Sequence, residues 1–378
     1  MAKTSHKASP KILAFVSNSC WSMYNFRLPV LQYFMRAGYA VHVIASKDDF
    51  AQQLLEQGCV VHDVVFNNRT LNPVADVQLY RQLVRLYREI QPQKVFHYFV
   101  KPNIYGSLAA NYLGIPSVPI VAGLGYAFIK RQWLLWVVKN LYKKAFAHVP
   151  QVWFLNKENA DVFVAMQIIP ASKVFILPGE GVDAGYFTPQ PLAQNPQPFV
   201  FLMLTRMLQK KGVSVFAQAA EILLRKGYAI ECRVMGFFED NHPDTIPLED
   251  IQAWKAKGLL HFPGFTQDVK PALQQAHCFV LPTLYNEGVP RSLLEAACMH
   301  IPMIATNQTG CREIIDHQKT GLLCEINNAA SLAQAMETVL TMPRPTMETM
   351  VKNAHAKVVQ QFEVSHILRH YQHAADTL

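Results

Sequence analysis

The chain is poor in the features that would place it quickly. Charged residues are only 16% of its 378, against 51% hydrophobic. That balance excludes a disordered chain and describes one with a large core, long enough for two domains. No run approaches the roughly 20 consecutive apolar residues of a membrane-spanning helix. Ile12–Val16 follows a charged start and is too short for the apolar core of a secretory leader; it is shaped like a first strand. The seven cysteines, at 20, 59, 232, 278, 298, 311 and 324, contain no C-x-x-C pair. An odd, irregular set reads as reduced thiols of a cytosolic protein rather than as disulfides or a zinc site. The 14 histidines include no His-Glu-x-x-His, and no metal is expected.

One further absence is local. Between Ile90 and Lys157 there is no acidic residue, while Lys94, Lys101, Lys130, Arg131, Lys139, Lys143 and Lys144 are all basic. Residues 1–190 hold 19 Lys and Arg against 10 Asp and Glu; the remainder holds 16 against 17. A half-molecule this basic expects an anionic partner, whether phosphate, a membrane surface or nucleic acid.

What is present is an alternation of short apolar runs and amphipathic segments, the pattern of parallel α/β sheets. Strands are expected at 11–17, 40–45, 60–65, 95–99, 118–121, 153–156 and 174–177. Helices are expected at 25–37 and 49–57, each closed by a glycine. Residues 178–198, rich in Pro, Gly and Gln, read as a linker. A second series follows, with strands at 199–205, 229–235, 260–262, 278–282, 303–305 and 321–324. Its helices are expected at 213–226, 268–275, 291–299 and 331–340, with a helical tail from 351. The fold class is therefore α/β, two doubly wound Rossmann-like domains facing a cleft, with ligands outside the carboxyl ends of the strands.

The second half carries four features that suit a nucleotide diphosphate. Arg206 ends the first strand, and Lys210-Lys211-Gly212 opens the next helix, so two cations stand at a strand end beside a helix start. Gly264-Phe265 follows a strand and offers close backbone approach with an apolar surface for a base. Glu287 and Glu295 stand eight residues apart, the first in a loop punctuated by Gly288 and Pro290, the second in the following helix. The amides of Gly288 and Val289 and the helix dipole can meet phosphate or sugar oxygens, and an acid such as Glu295 can hold ribose hydroxyls. Gly310, in a turn from strand to helix, completes the set. Taken singly, the cations read equally as a solvated helix start, and the glycine and the acids read better as a plain turn and surface acids.

Taken in order, the run Phe279 to Ala297, then Ile301 to Thr306, Gly310 to Ile315 and Lys319 to Leu323, closely resembles the family 4 glycosyltransferases of GT-B fold and their E-x7-E motif. Arg206 with Lys211, Gly264 and the stretch Gly181 to Phe187 match the same pattern. The resemblance implies a retaining, metal-independent hexosyltransferase using a UDP-sugar. It implies Arg206 and Lys211 on the donor diphosphate, Gly264 and Phe265 at the base, Glu295 on the ribose and Glu287 facing the transferred sugar. Gly288, Val289 and Pro290 would line the donor.

In the first half, Asn18 to Pro29, Lys101 to Ala110 and Gly123 to Tyr126 resemble the subgroup that extends polyprenyl-diphosphate-linked sugars in bacterial surface-polysaccharide and glycan assembly. Asn25, Arg27, Lys101, Asn103 and Tyr126 become acceptor-side candidates. The sequence departs from many family members in lacking a Gly-Gly pair in the first loop and a histidine after the fifth strand. His97 is a poor substitute for the latter. The domains implied are 1–185, taking back a helix near 358–378, and 186–357. Ala127 to Phe146 joins two Trp, an apolar stripe and five basic residues; it suits a membrane interface, or simply a helix covering the sheet. The partners implied are a nucleotide sugar, a polyprenyl-diphosphate-linked glycan and an anionic membrane surface, at the inner face of the cytoplasmic membrane. Two rivals stand beside this: a nucleotide-sugar epimerase of the same fold, and a nucleic-acid-binding module, for which no recognition motif is present.

Overall fold

The computed structural model describes residues 11–66, 72–124, 132–238 and 242–377. The chain forms two compact units. One runs to Glu180 and takes in the chain again from Ile367; the other is Gly181–His366.

The first unit is built on seven parallel strands, β1 (Ile12–Val16), β2 (Ala40–Ala45), β3 (Val60–Asp63), β4 (Lys94–Tyr98), β5 (Ser117–Val121), β6 (Val152–Phe154) and β7 (Val174–Ile176), in the order β3-β2-β1-β4-β5-β6-β7. The second has six, β8 (Phe199–Leu204), β9 (Ile230–Met235), β10 (His261–Gly264), β11 (Cys278–Leu281), β12 (Met303–Thr306) and β13 (Leu322–Cys324), in the order β10-β9-β8-β11-β12-β13. Both orders reverse direction once, between β1 and β4 and between β8 and β11. That is the doubly wound arrangement, and in each sheet the reversal opens a crevice at the strands' carboxyl ends. Central strands β4, β5, β11 and β12 are buried along their whole length, as strands covered by helices on both faces must be.

Local signals place the helices. Ser19 caps the helix Cys20–Arg36 by accepting from the Ser22 amide at 3.2 Å, so this helix begins five residues before the expected Asn25. Asn72 accepts from the amides of Val74 and Ala75, and Pro73 opens the helix Pro73–Ile90. This helix, not singled out from the sequence, buries Leu79, Leu83, Tyr87 and Ile90 along one face. The expected helical tail is two helices, Arg344–Phe362 and Val364–Thr377, separated at Glu363. The second returns to the first unit. Ile367, Tyr371 and Ala374 join a core of Phe15, Phe34, Phe96 and Trp153, and Lys94 donates to the carbonyls of Ala374 and Ala375 that end it. Each large side chain taken out of water in this cluster contributes about 1.5–3 kcal/mol.

Candidate active site

The second unit gathers its polar side chains where the strand order reverses. After β8 the chain makes one tight turn, Gln209–Lys211, and enters the helix Val213–Arg225 through Gly212 at φ 81°. A Cβ on Gly212 would stand 1.9 Å from the Pro282 carbonyl oxygen. Glycine therefore lets this turn lie directly on the loop that leaves β11, and the Leu284 amide donates to the Lys210 carbonyl at 2.8 Å. On the other flank Gly310, at φ 76°, brings the turn after β12 so close that a Cβ would lie 2.0 Å from the Gly288 oxygen. The Thr306 hydroxyl donates to the Thr283 carbonyl at 2.6 Å. The loop carrying Glu287 is thus held on both sides by backbone contact.

Inside that clasp the Lys211 ammonium lies 2.5 Å from Glu287 Oε1, and the Thr283 hydroxyl donates to the same oxygen at 2.9 Å. Both charged side chains are largely shielded, at 13% and 19% exposure, so the attraction is screened less than at an open surface. The ring of Tyr285 lies under both neighbouring ammoniums, 5.7 Å from Lys210 and 5.3 Å from Lys211. Its hydroxyl donates to Asp244 Oδ2 at 3.2 Å. Burial, with the Asp244 carboxylate beside it, pushes the phenol up to about 12, while the Arg206 guanidinium acts in the opposite direction.

Glu295 lies inside the helix Arg291–Cys298, 6% exposed, with Arg291 Nε 2.9 Å from its Oε1. Burial raises its carboxyl above the ordinary range, and the arginine pulls the other way. Val289 packs in the core with Leu293 and Leu294; Pro290 is buried, and Gly288 is half-buried. Gly264 is the last residue of β10 rather than part of a turn after it, at φ 106° with open space where a Cβ would go. Its carbonyl accepts from the Gly236 amide at 3.0 Å. Phe265 is 53% exposed and meets Phe237 edge-on at 5.5 Å.

The structure thus brings Lys211 and Glu287 into contact and adds Thr283, Tyr285 and Asp244, which the sequence had not marked. Thr283 had a local signal, a hydroxyl two residues past a strand end. Asp244 had none, since its loop reaches the lysines only through the fold.

The acceptor-side candidates are mostly engaged internally. Arg27 is 2% exposed; Nη2 lies 2.5 Å from Glu180 Oε1, Nη1 donates to the Ser22 carbonyl, and the guanidinium sits 4.4 Å from the Tyr98 ring centroid. Its Nε is buried without a partner. Tyr98 in turn bonds the Tyr371 hydroxyl at 2.8 Å. Asn103, 1% exposed, donates to the Ile120 carbonyl. Lys101 pairs with Asp76 at 2.7 Å, and Tyr105 donates to the same carboxylate. Asn25 donates to the Trp21 carbonyl one turn earlier in its helix. Tyr126 lies outside the described residues. His97 is fully buried between the Tyr87 hydroxyl, 2.9 Å away, and the Ser107 hydroxyl, and a Cβ on Gly106 would touch its ring. Burial pushes it down to about 3, so it is neutral at physiological pH.

In the helix Gln132–Ala145 the apolar stripe is used internally: Leu134, Val138, Tyr142 and Ala145 pack into a core with Phe154 and Phe163. Trp136 stays 67% exposed. Among the described residues no helix is long and apolar enough to cross a membrane. His366 and His370 do stand four apart on the last helix, yet His370 packs on Phe175, and no group of three or more metal-ligating side chains gathers among the described residues.

Two family models match, one to each sheet. Residues 11–156 match Glycosyl transferase 4-like and residues 187–357 match Glycosyl transferases group 1. A curated relative from Campylobacter jejuni, N,N'-diacetylbacillosaminyl-diphospho-undecaprenol alpha-1,3-N-acetylgalactosaminyltransferase, is 27% identical over 368 residues, covering 93% of this chain and 95% of its own. An Escherichia coli relative, UDP-Gal:alpha-D-GlcNAc-diphosphoundecaprenol alpha-1,3-galactosyltransferase, is 25% identical over 75% of this chain and 76% of its own. Among solved structures, Anabaena HepE in complex with UDP superposes with a TM-score of 0.80 at 18% identity, covering 97% of this chain and all of that one. A glycosyltransferase from Rickettsia africae gives 0.80 over 98% of both chains, also at 18% identity.

Proposed function

We propose that this chain, which belongs to the group 1 and 4-like glycosyltransferases, moves a hexose or N-acetylhexosamine from a UDP-sugar to a sugar carried on undecaprenyl diphosphate. The transfer retains configuration at the anomeric carbon and serves surface-polysaccharide or glycan assembly. The observation that carries the donor half is the contact of Lys211 with Glu287, fixed by Thr283, at the strand-order reversal of the second unit. The acceptor half rests on the activities named for the Campylobacter and E. coli relatives, both of which act on undecaprenol-linked diphospho-sugars.

In this mechanism the bond from the anomeric carbon to the diphosphate oxygen breaks as the acceptor hydroxyl approaches from the same face. Arg206 and Lys211 stabilise the charge growing on the leaving diphosphate. The acceptor's proton passes to a leaving phosphate oxygen, so the products are UDP and the lengthened lipid-linked glycan. Glu287 positions the donor sugar, and Gly288 and Val289 present backbone amides next to it. Pro290 opens the helix whose Glu295 holds the ribose. Gly264 and Phe265 frame the base, and the cationic side chains supply the charge a metal would otherwise bring. On the acceptor side, Asn25 and Lys101 meet the incoming glycan diphosphate, with Arg27 and Asn103 shaping that surface from beneath. The helix Gln132–Ala145, with Trp136 outermost and Lys139, Lys143 and Lys144 along it, rests on an anionic membrane surface.

The test is a matrix of UDP-sugars against undecaprenyl-diphosphate-linked monosaccharides, read by mass and by the anomeric signal of the product. One combination is expected to gain one sugar with the donor's anomeric configuration. A UDP-sugar that is isomerised with no transfer, or left untouched against every acceptor, overturns the proposal. Loss of binding to phosphatidylglycerol vesicles in Trp136→Ala checks the membrane contact separately.

A further inference from the structure

The donor pocket of the second unit holds a carboxylate in a place where a carboxylate works against its ligand. Asp244 belongs to the loop after β9. Its Oδ2 lies 3.5 Å from the Lys210 ammonium and accepts from the Tyr285 hydroxyl at 3.2 Å. The backbone fixes it there: the Asp244 carbonyl accepts from Gln209 at 2.7 Å, the Asp244 amide donates to His242 Nδ1, and Leu208 bridges Thr245. Tyr285, whose ring lies under Lys210 and Lys211 both, ties this loop to the one that carries Glu287. Three loops therefore converge on one tyrosine, and its hydroxyl is spent on holding an anion against a lysine.

Two ammoniums side by side repel each other, and each has its own counter-charge. Lys211 has Glu287 and Lys210 has Asp244. A nucleoside diphosphate bound at Lys211 brings two or more negative charges beside Lys210, whose ammonium shares the Tyr285 ring with that of Lys211. It must then replace Asp244 as the partner of Lys210 while Asp244 stays within reach, tethered by Tyr285.

We propose that Asp244 is an internal counterion that competes with the diphosphate for Lys210, held in position by Tyr285, and that it drives release of the nucleoside diphosphate after transfer. This rests on the donor-site assignment above. It makes Asp244 a positioning residue whose removal strengthens ligand binding, the reverse of what loss of a supporting residue does.

The test is the affinity of the full-length protein for UDP, by calorimetry, at low and high salt. The wild type, Asp244→Asn, Tyr285→Phe and Lys210→Ala are compared, with thermal unfolding confirming that each is folded. Asp244→Asn is expected to bind UDP roughly threefold to tenfold tighter at low salt, with the gain shrinking at high salt, because the repulsion removed is electrostatic and the groups are partly exposed. Tyr285→Phe keeps the ring under the lysines and is expected to give a smaller gain in the same direction. In turnover, Asp244→Asn is expected to lower KM for the donor and to make UDP a stronger product inhibitor. A folded Asp244→Asn whose UDP affinity is unchanged or weaker overturns the inference. If that happens while Lys210→Ala loses affinity, the donor site stands and only the competition fails. If the wild type binds no UDP, the donor-site assignment falls and this inference with it.

Discussion

Lys211 and Glu287 are 76 residues apart in sequence and 2.5 Å apart in the fold. They meet because β8 and β11 are sheet neighbours and the loops leaving them lie against each other through Gly212. The cation is the group assigned to the leaving diphosphate, and the carboxylate is the group assigned to the sugar. In the proposed mechanism each holds the other in place for its part of the donor.

That coupling separates two variants. Lys211→Ala is expected to lower UDP affinity and turnover together, with kcat/KM falling about 100-fold or more, the scale of removing a donor from a developing anion. Glu287→Gln is expected to lower kcat on a similar scale while leaving UDP affinity within a few-fold. Steady-state kinetics with UDP calorimetry reads both; a Glu287→Gln enzyme with near-normal turnover contradicts the assignment.

Gly310 tests the clasp rather than the charges. Its φ of 76° and a Cβ position 2.0 Å from the Gly288 oxygen leave no room for a side chain. Gly310→Ala is expected to displace the Glu287 loop and to cost about 1–3 kcal/mol in stability, with a drop in turnover larger than Gly258→Ala gives. Gly258 also has a positive φ, yet nothing lies within 4 Å of its Cβ position, so the comparison removes the backbone-strain contribution common to both.

Arg27 and Glu180 form a shielded ion pair, 2% and 13% exposed. Removing one partner takes away the other's shielded counter-charge, so Glu180→Gln and Arg27→Met are each expected to destabilise the protein by about 3–5 kcal/mol. The double variant is expected to recover part of that loss. Denaturant unfolding reads it, and additive losses contradict the pairing.

His97 sets an acid limit. Burial lowers it to about 3 from the ordinary value near 6.5, so in acid the unfolded chain binds this proton before the folded one does. The stabilisation is fully present above roughly pH 6.5 and drains away as pH falls toward the folded value, at up to about 1.4 kcal/mol per pH unit. His97→Gln is expected to flatten unfolding free energy against pH between 4 and about 6.5. A slope unchanged from wild type sinks this attribution.

Much of the second unit was legible in the chain. Glu287, Lys211, Gly212 and Gly310 all stand next to strand ends that apolar runs announced, and strand ends are where a doubly wound sheet puts its ligands. The first unit was less legible. Arg27 at the start of a loop-to-helix segment looked like a residue for an anionic acceptor. The helix in fact starts earlier, capped by Ser19, and Arg27 turns inward to Glu180, 153 residues away. The stripe of Leu134, Val138 and Tyr142 fitted a membrane face and a sheet-covering face equally, since both need the same spacing. Packing against Phe154 and Phe163 decided for the sheet and left Trp136 outside.

By itself the sequence determined the two α/β units, their strands to within a residue or two and the loops that carry Lys211, Glu287 and Gly310. These follow from periodicity, strand ends and glycine positions, all local in the chain. Only the tertiary structure decided which charge meets which: Lys211 with Glu287, Lys210 with Asp244, Arg27 with Glu180. Pairing of that kind depends on strand order and on how closely two loops approach, and neither is encoded within any single stretch of residues.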